Sequence, residues 1–232
     1  MIPDIVQVSL LSLKVAGVGV LLTLPIAFFF AYLLARGRFA GKSVLSAIIM
    51  LPLVMPPVVT GLILLNLFGP LGPVGQWLGQ FGIVLGFRWS GAALAAGLVA
   101  LPLIVRPMRM ALENIDPRLH EALEVAGHNR WQRLLILDLP LAVPGIVAGM
   151  VLGFAKAMGE FGATITFVAN IPGETQTLSL AIFSALQSPG TEQLVWTLVG
   201  ISLGISVVAV VVSETLVERL SARQNKGAVS RV

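Results

Sequence analysis

Lys156 and Glu160 stand four residues apart inside an apolar stretch, so on a helix they share one face and can form an ion pair. Charge within lipid is costly and is normally turned toward a bundle interior or water, which leaves two readings: a structural bridge or part of a gate. Glu160 follows Pro140 by about 20 residues, and at ~1.5 Å per residue this sets it near one membrane boundary, suiting an outer rim better than a central site. Pro52, Pro56 and Pro57 interrupt another apolar stretch, where freed carbonyls need partners from neighbouring helices or a water-filled cavity. Thr60 and Asn66 follow as hydrogen-bonding groups, so this segment either lines a polar path or is simply a kinked helix. Catalytic patterns are weaker. Gly200-Ile201-Ser202-Leu203-Gly204 fits a nucleophile elbow, but it lies within an apolar stretch and the two histidines, His120 and His128, are far off in a loop. There is no His-Glu-x-x-His zinc pattern and no phosphate-cradling Gly-x-x-x-x-Gly-Lys-Ser/Thr loop, so no catalytic residue, metal site or ATP hydrolysis by that route is expected of the chain.

The elements that must hold these residues follow from composition. The chain has 232 residues, 56% hydrophobic and 11% charged, with a mean hydropathy of +0.94. Soluble domains sit nearer 45–50% apolar and about 25% charged, so a soluble enzyme is excluded and most of this surface must face lipid or other membrane helices. The absence of cysteine removes disulfides, thiolate metal sites and cysteine nucleophiles. A helix crossing the ~30 Å hydrocarbon core needs about 20 apolar residues. Five stretches qualify: 8–34, 44–67, 90–110, 141–161 and 194–213. The first is preceded by Asp4 in place of a basic region and has no evident cleavage site, which reads as a retained span. The decapeptide Thr177–Leu186 is too short to cross and suits an interfacial or re-entrant helix. Gly145, Gly149 and Gly153, continued by Ala157, form a small-residue stripe for close packing within the bundle or a dimer.

Charge sets the sidedness. Arg36, Arg38 and Lys42 follow the first stretch; Arg106, Arg109, Arg118, Arg130 and Arg133 lie at or between the third and fourth; Arg219, Arg223, Lys226 and Arg231 follow the fifth. The remaining connections hold only Arg88. The bias places the N-terminus outside and the C-terminus inside, and it explains the basic balance without nucleic-acid binding. Arg106 and Arg109, near the inner end of the third stretch, are expected to snorkel to the interface. The transmembrane region then spans 8–217, with an inner loop at 113–140 and a short basic tail at 218–232.

That loop has a legible local code. Asp116 is a good N-cap ahead of Pro117, and Leu119, Ala122, Leu123 and Ala126 recur at helical spacing while Arg118, His120, Glu121 and Glu124 face elsewhere. Gly127 supplies a left-handed stop, and Asn129 with Gln132 predicts a capping box for a second helix running into Leu139 and Pro140. By spacing alone this is an amphipathic linker on the bilayer surface.

Glu121-Ala122-Leu123, three residues, Gly127, nine residues, then Leu137-Asp138-Leu139-Pro140 resembles the EAA motif of bacterial ABC importer permeases, with Leu123 in place of Ala and Leu137 in place of Ile. The runs Leu51–Gly61, Leu101–Asp116 and Gly159–Leu178 resemble the molybdate permease subunits of type I ABC importers. Sulfate permeases, the nearest alternative, are usually longer and carry an additional N-terminal span. The resemblance implies an all-α, five-span inner-membrane permease acting as a homodimer in lipid. It further implies two ABC ATPase subunits docked on the loop through Glu121, Ala122, Leu123, Gly127, Leu137, Leu139 and Pro140, and a periplasmic molybdate-binding protein above. ATP and Mg would then be used by the ATPase, with no cofactor held by this chain and with tungstate as a possible second substrate. A secondary carrier driven by an ion gradient is the other reading, but no internal repeat supports it.

Overall fold

The computed structural model describes residues 4–229, and the side chains among them except at 213, 214 and 216–229. The basic side chains at Arg219, Arg223, Lys226 and Arg231 therefore lie outside the described residues. No strand occurs among the described residues. The helices in chain order are α1 (Ile5–Arg36), α2 (Lys42–Val54), α3 (Pro57–Phe68), α4 (Pro73–Gly79), α5 (Trp89–Glu113), α6 (Pro117–Val125), α7 (Arg130–Arg133), α8 (Leu139–Met158), α9 (Gly162–Val168), α10 (Leu178–Leu186) and α11 (Glu192–Val229). Helices α1, α5, α8 with the turns before it, and α11 are each long and apolar enough to cross a membrane.

The second apolar stretch is not one straight span. Its halves, α2 and α3, meet at a bend of 108°. Neither Pro56 nor Pro57 has an N–H to continue the ladder, and each restricts the residue before it, so Met55 and Pro56 are extended with ψ of 144° and 129°. The fourth stretch, expected to reach Phe161, ends as a helix at Met158. Glu160 thus sits in the break before α9, not on the span itself.

The core is built around α5. Its buried row of Ala92, Ala93, Ala96, Gly97 and Ala100 lets α1 approach almost backbone to backbone. A Cβ at Gly19 of α1 would lie 2.5 Å from the Ala93 carbonyl. On its other side α5 meets α8 through the predicted glycine stripe: a Cβ at Gly145 would fall 2.6 Å from the Pro107 carbonyl, and one at Gly149 would fall 2.7 Å from that of Ile104. Gly153 faces the Ile104 side chain. The stripe therefore packs helices within this chain. Asp4 caps α1, accepting the Val6 N–H at 3.0 Å. Leu178, Leu180, Ala181 and Ala185 bury one side of the short α10, and the Leu178 N–H donates to Ser12 Oγ of α1 at 2.7 Å.

Candidate functional site

Two regions gather the chemistry. In the first, α9 lies across α3. A Cβ at Gly61 would sit 2.5 Å from the Ala163 carbonyl, and one at Gly162 would sit 2.8 Å from Pro57 Cβ. The start of α9 is fixed by Glu160, whose Oε1 accepts the Ala163 N–H at 3.0 Å while Oε2 pairs with Lys156 Nζ at 3.2 Å. The Glu160 side chain is 2% exposed, so the ammonium compensates a carboxylate that burial alone would disfavour. Thr60, beside Gly61, is buried, and its Oγ has no hydrogen-bond partner among the described residues. Pro57, Thr60, Lys156 and Glu160 thus converge on the α3–α9 crossing, with Pro56 at the bend. Asn66 stands apart, exposed on α3 and bonded to the Leu62 carbonyl at 3.1 Å.

Beyond α9 the chain holds a conformation the sequence reading missed. Ala169 has φ of +60° and ψ of −169°, a region that only glycine enters freely and that costs about 1–3 kcal/mol. Thr175, fully buried, holds it by donating to the Ala169 carbonyl at 3.0 Å and accepting the Ile171 N–H at 2.9 Å. The available hint was indirect: the polar run Glu174-Thr175-Gln176-Thr177 leading into the apolar α10, which marks a buried polar turn without naming Ala169.

The second region is the loop at 113–140. Asp116 caps α6 by accepting the Arg118 N–H at 2.9 Å. Gly127 takes φ of +83°, and Asn129 and Gln132 exchange both bonds of a capping box at 2.9 Å each. The face of α6 differs from expectation. Leu119, at 45% exposed, and Ala122 and Ala126 point away from the bundle, whereas His120 and the half-buried Leu123 turn toward it. The cause is Asp138, fully buried and in need of a donor. Its Oδ1 lies 2.9 Å from Arg36 Nη2, at the end of α1, and 3.1 Å from His120 Nε2. The His120 contact is not in line for a hydrogen bond. Burial lowers the imidazole pKa from its ordinary value of 6.5, and Arg36 and Arg133 push the same way against the pull of Asp138.

A π-helical turn, Leu134–Asp138, sets this geometry by joining α7 to α8. Pro140 has no N–H to give to the Ile136 carbonyl, and the turn ahead of it winds wide, with the Leu139 N–H reaching Leu134. The extra residue aims Leu137 and Asp138 inward and leaves Leu135, Ile136, Leu139 and Pro140 on the outside. Glu121 is exposed, and Glu124 pairs with Arg133 of α7, bracing the two loop helices together. Between α5 and α8 at this end lies a groove of about 470 Å³ lined by Leu103, Arg106, Met110, Pro144 and Ala148. Arg106 is exposed on it, while Arg109 pairs with Glu113 at 2.8 Å.

These features define a multi-pass α-helical permease of the bacterial inner membrane, with a helical loop outside the bundle and a crossed helix pair, α3 and α9, at the bend. The chain belongs to the family described as binding-protein-dependent transport system inner membrane component, which matches residues 23–224, and it is a type I ABC importer permease. It is 47% identical over 221 residues to the molybdenum transport system permease protein ModB of Haemophilus influenzae, covering 95% of this chain and 96% of that protein. It is also 47% identical over 211 residues to ModB of Escherichia coli K12, covering 90% and 92%. The fold is similar to a crystal structure of a bacterial ABC transporter involved in the import of the acidic polysaccharide alginate, with a TM-score of 0.68, 19% identity, and coverage of 94% of this chain and 79% of that one.

Proposed function

We propose that the chain is the permease subunit of an ATP-driven importer of molybdate, with tungstate as a second substrate of similar charge and shape. Two copies form the path, two ABC ATPase subunits dock on the α6 loops, and a periplasmic binding protein delivers the oxyanion from above. The N-terminus is outside and the C-terminus inside, as the lysine and arginine bias supports. The observation that carries the coupling reading is the outward face of α6. Leu119, Ala122 and Val125, the last 90% exposed, lie beside Glu121 on a helix whose local structure is fully capped. An ordered helix that turns its apolar side away from its own bundle suits a surface covered by a partner. ATP closure of the ATPases would move α6 and α7 and switch the dimer between outward- and inward-facing states. ATP and Mg act in the ATPase. Glu160 with Lys156 fixes α9 at the outer gate, and Thr60 and the bend at Pro56 and Pro57 border the path.

The substrate reading rests on the similarity to the ModB proteins. Liposomes holding this chain, its co-purified ATPase and binding protein test it directly: labelled molybdate uptake should require ATP and persist under excess sulfate. Uptake without ATP would sink the importer reading, and full competition by sulfate would move the substrate to the sulfate class.

A further inference from the structure

Asp138 is fully buried, yet it lies in a run that is otherwise apolar from Leu134 to Val143. An apolar residue there would hold the same space at no electrostatic cost, since replacing a buried ion pair by packed apolar groups is often neutral or stabilising. The network is also incomplete. Asp138 Oδ2 and Arg36 Nε are buried without a hydrogen-bond partner among the described residues, and a half-satisfied polar cluster is a poor way simply to stabilise a junction. What the carboxylate does supply is one oxygen on which three elements meet: Arg36 Nη2 donates to Oδ1 at 2.9 Å, and His120 Nε2 lies 3.1 Å from the same atom. Arg36 belongs to the last turn of α1, where the helix dipole favours a cation. His120 belongs to α6, next to Glu121. Asp138 itself ends the π-helical turn that leads into α8. The apolar hold of α6 on the bundle is slight, since Leu123 is the α6 side chain packed against the core.

We infer that Asp138 is the joint through which movement of α6 reaches the transmembrane helices, its single oxygen tying the coupling helix to α1 while its backbone leads into α8. The inference rests on the coupling reading above and names its positioning residues as Arg36, His120 and Asp138. A shift of α6 changes how far His120 shares Oδ1, and so how firmly that oxygen holds Arg36. The cluster thus passes displacement on without any apolar surface having to slide.

The test uses the full complex in liposomes and reads molybdate taken up per ATP hydrolysed, alongside the melting temperature and co-purification of the ATPase. Asp138→Asn keeps the shape and removes the charge; the uptake per ATP should fall about tenfold or more. Asp138→Glu should recover a substantial part of it. His120→Gln, on the more accessible element, should lower the ratio several-fold, and it decides the same comparison should Asp138→Asn fail to assemble. A wild-type ratio in Asp138→Asn or, where that variant does not assemble, in His120→Gln overturns the joint. So does a loss in which uptake and hydrolysis fall together with the melting temperature, the mark of a purely structural bridge. Absence of ATP-dependent uptake in the wild-type complex would instead overturn the coupling reading, and the joint with it.

Discussion

Where α1, α5 and α8 meet, a Cβ added at Gly19 or Gly149 would stand 2.5 or 2.7 Å from a neighbouring carbonyl, whereas one added at Gly127, between α6 and α7, would meet nothing within 4 Å. Both regions depend on glycine, for opposite reasons. In the bundle, lipid offers no hydrophobic drive between helices, so cohesion comes from close approach and dispersion, and the missing side chain is the space itself. In the loop the glycine is needed for its backbone, with φ of +83°. There the helices are held by caps, by the Glu124–Arg133 pair and by one buried carboxylate. The bundle is fixed by what cannot be inserted, and the loop by what cannot be removed.

The sharpest way to break that contrast is Gly149→Leu. A side chain forced against the Ile104 backbone should cost at least the ~1–3 kcal/mol of ordinary overpacking, and more here because main chain has to move. The expected outcome is loss of a monodisperse peak in detergent; a stable variant would show that the α5–α8 contact is loose. Next comes Glu160→Leu, which strands Lys156 and removes the cap on Ala163. About 2 kcal/mol is expected, less than for a fully buried pair because Lys156 is 32% exposed. Glu160→Gln keeps the acceptor and should lose less, while transport selectivity stays unchanged; an altered oxyanion preference would place Glu160 in recognition instead. Gly127→Ala should cost about 1–2 kcal/mol from the left-handed backbone alone, seen as increased proteolysis between α6 and α7 with the bundle intact. Equal effects on bundle and loop would erase the distinction.

The smallest effect concerns pH. The His120 pKa lies below 6.5 in the folded protein, so its neutral form is favoured by folding and contributes no pH dependence well above that value. As pH falls through 6.5 toward the folded value, the free imidazole takes its proton first and stability is lost. The groups facing it are Asp138 from the π-helical turn, Arg36 from α1 and Arg133 from α7. A modest drop in melting temperature below pH 6.5 is expected, and His120→Gln should flatten it. An unchanged slope in that variant would assign the acid sensitivity elsewhere.

Local signals in the sequence predicted local structure well. Asp116-Pro117, Gly127 and the Asn129–Gln132 box each encode a cap or a turn within a few residues, and each forms as the chemistry requires. The apolar stretches likewise announce the long helices, because hydropathy is a property of a segment. The failures are non-local. Pro56 and Pro57 signal an interruption, but the bend of 108° also depends on α9, which packs against α3 at Gly61. Spacing put Leu119, Ala122, Leu123 and Ala126 on one face of α6 and His120 on another; the buried Asp138, whose partner Arg36 is 102 positions away, turns His120 and Leu123 inward together, which no local pattern announces. The strain at Ala169 left no local mark, since alanine advertises nothing about φ.

One consequence of the backbone contacts concerns motion. Helices that meet through long side chains can slide by stepping between rotamers, each step a shallow well. At Gly19, Gly97, Gly145 and Gly149 there are no such intermediate settings: main chain abuts main chain or a short side chain. Helices α1, α5 and α8 therefore turn as a single plate, and whatever flexes in this molecule must do so at the plate's edges.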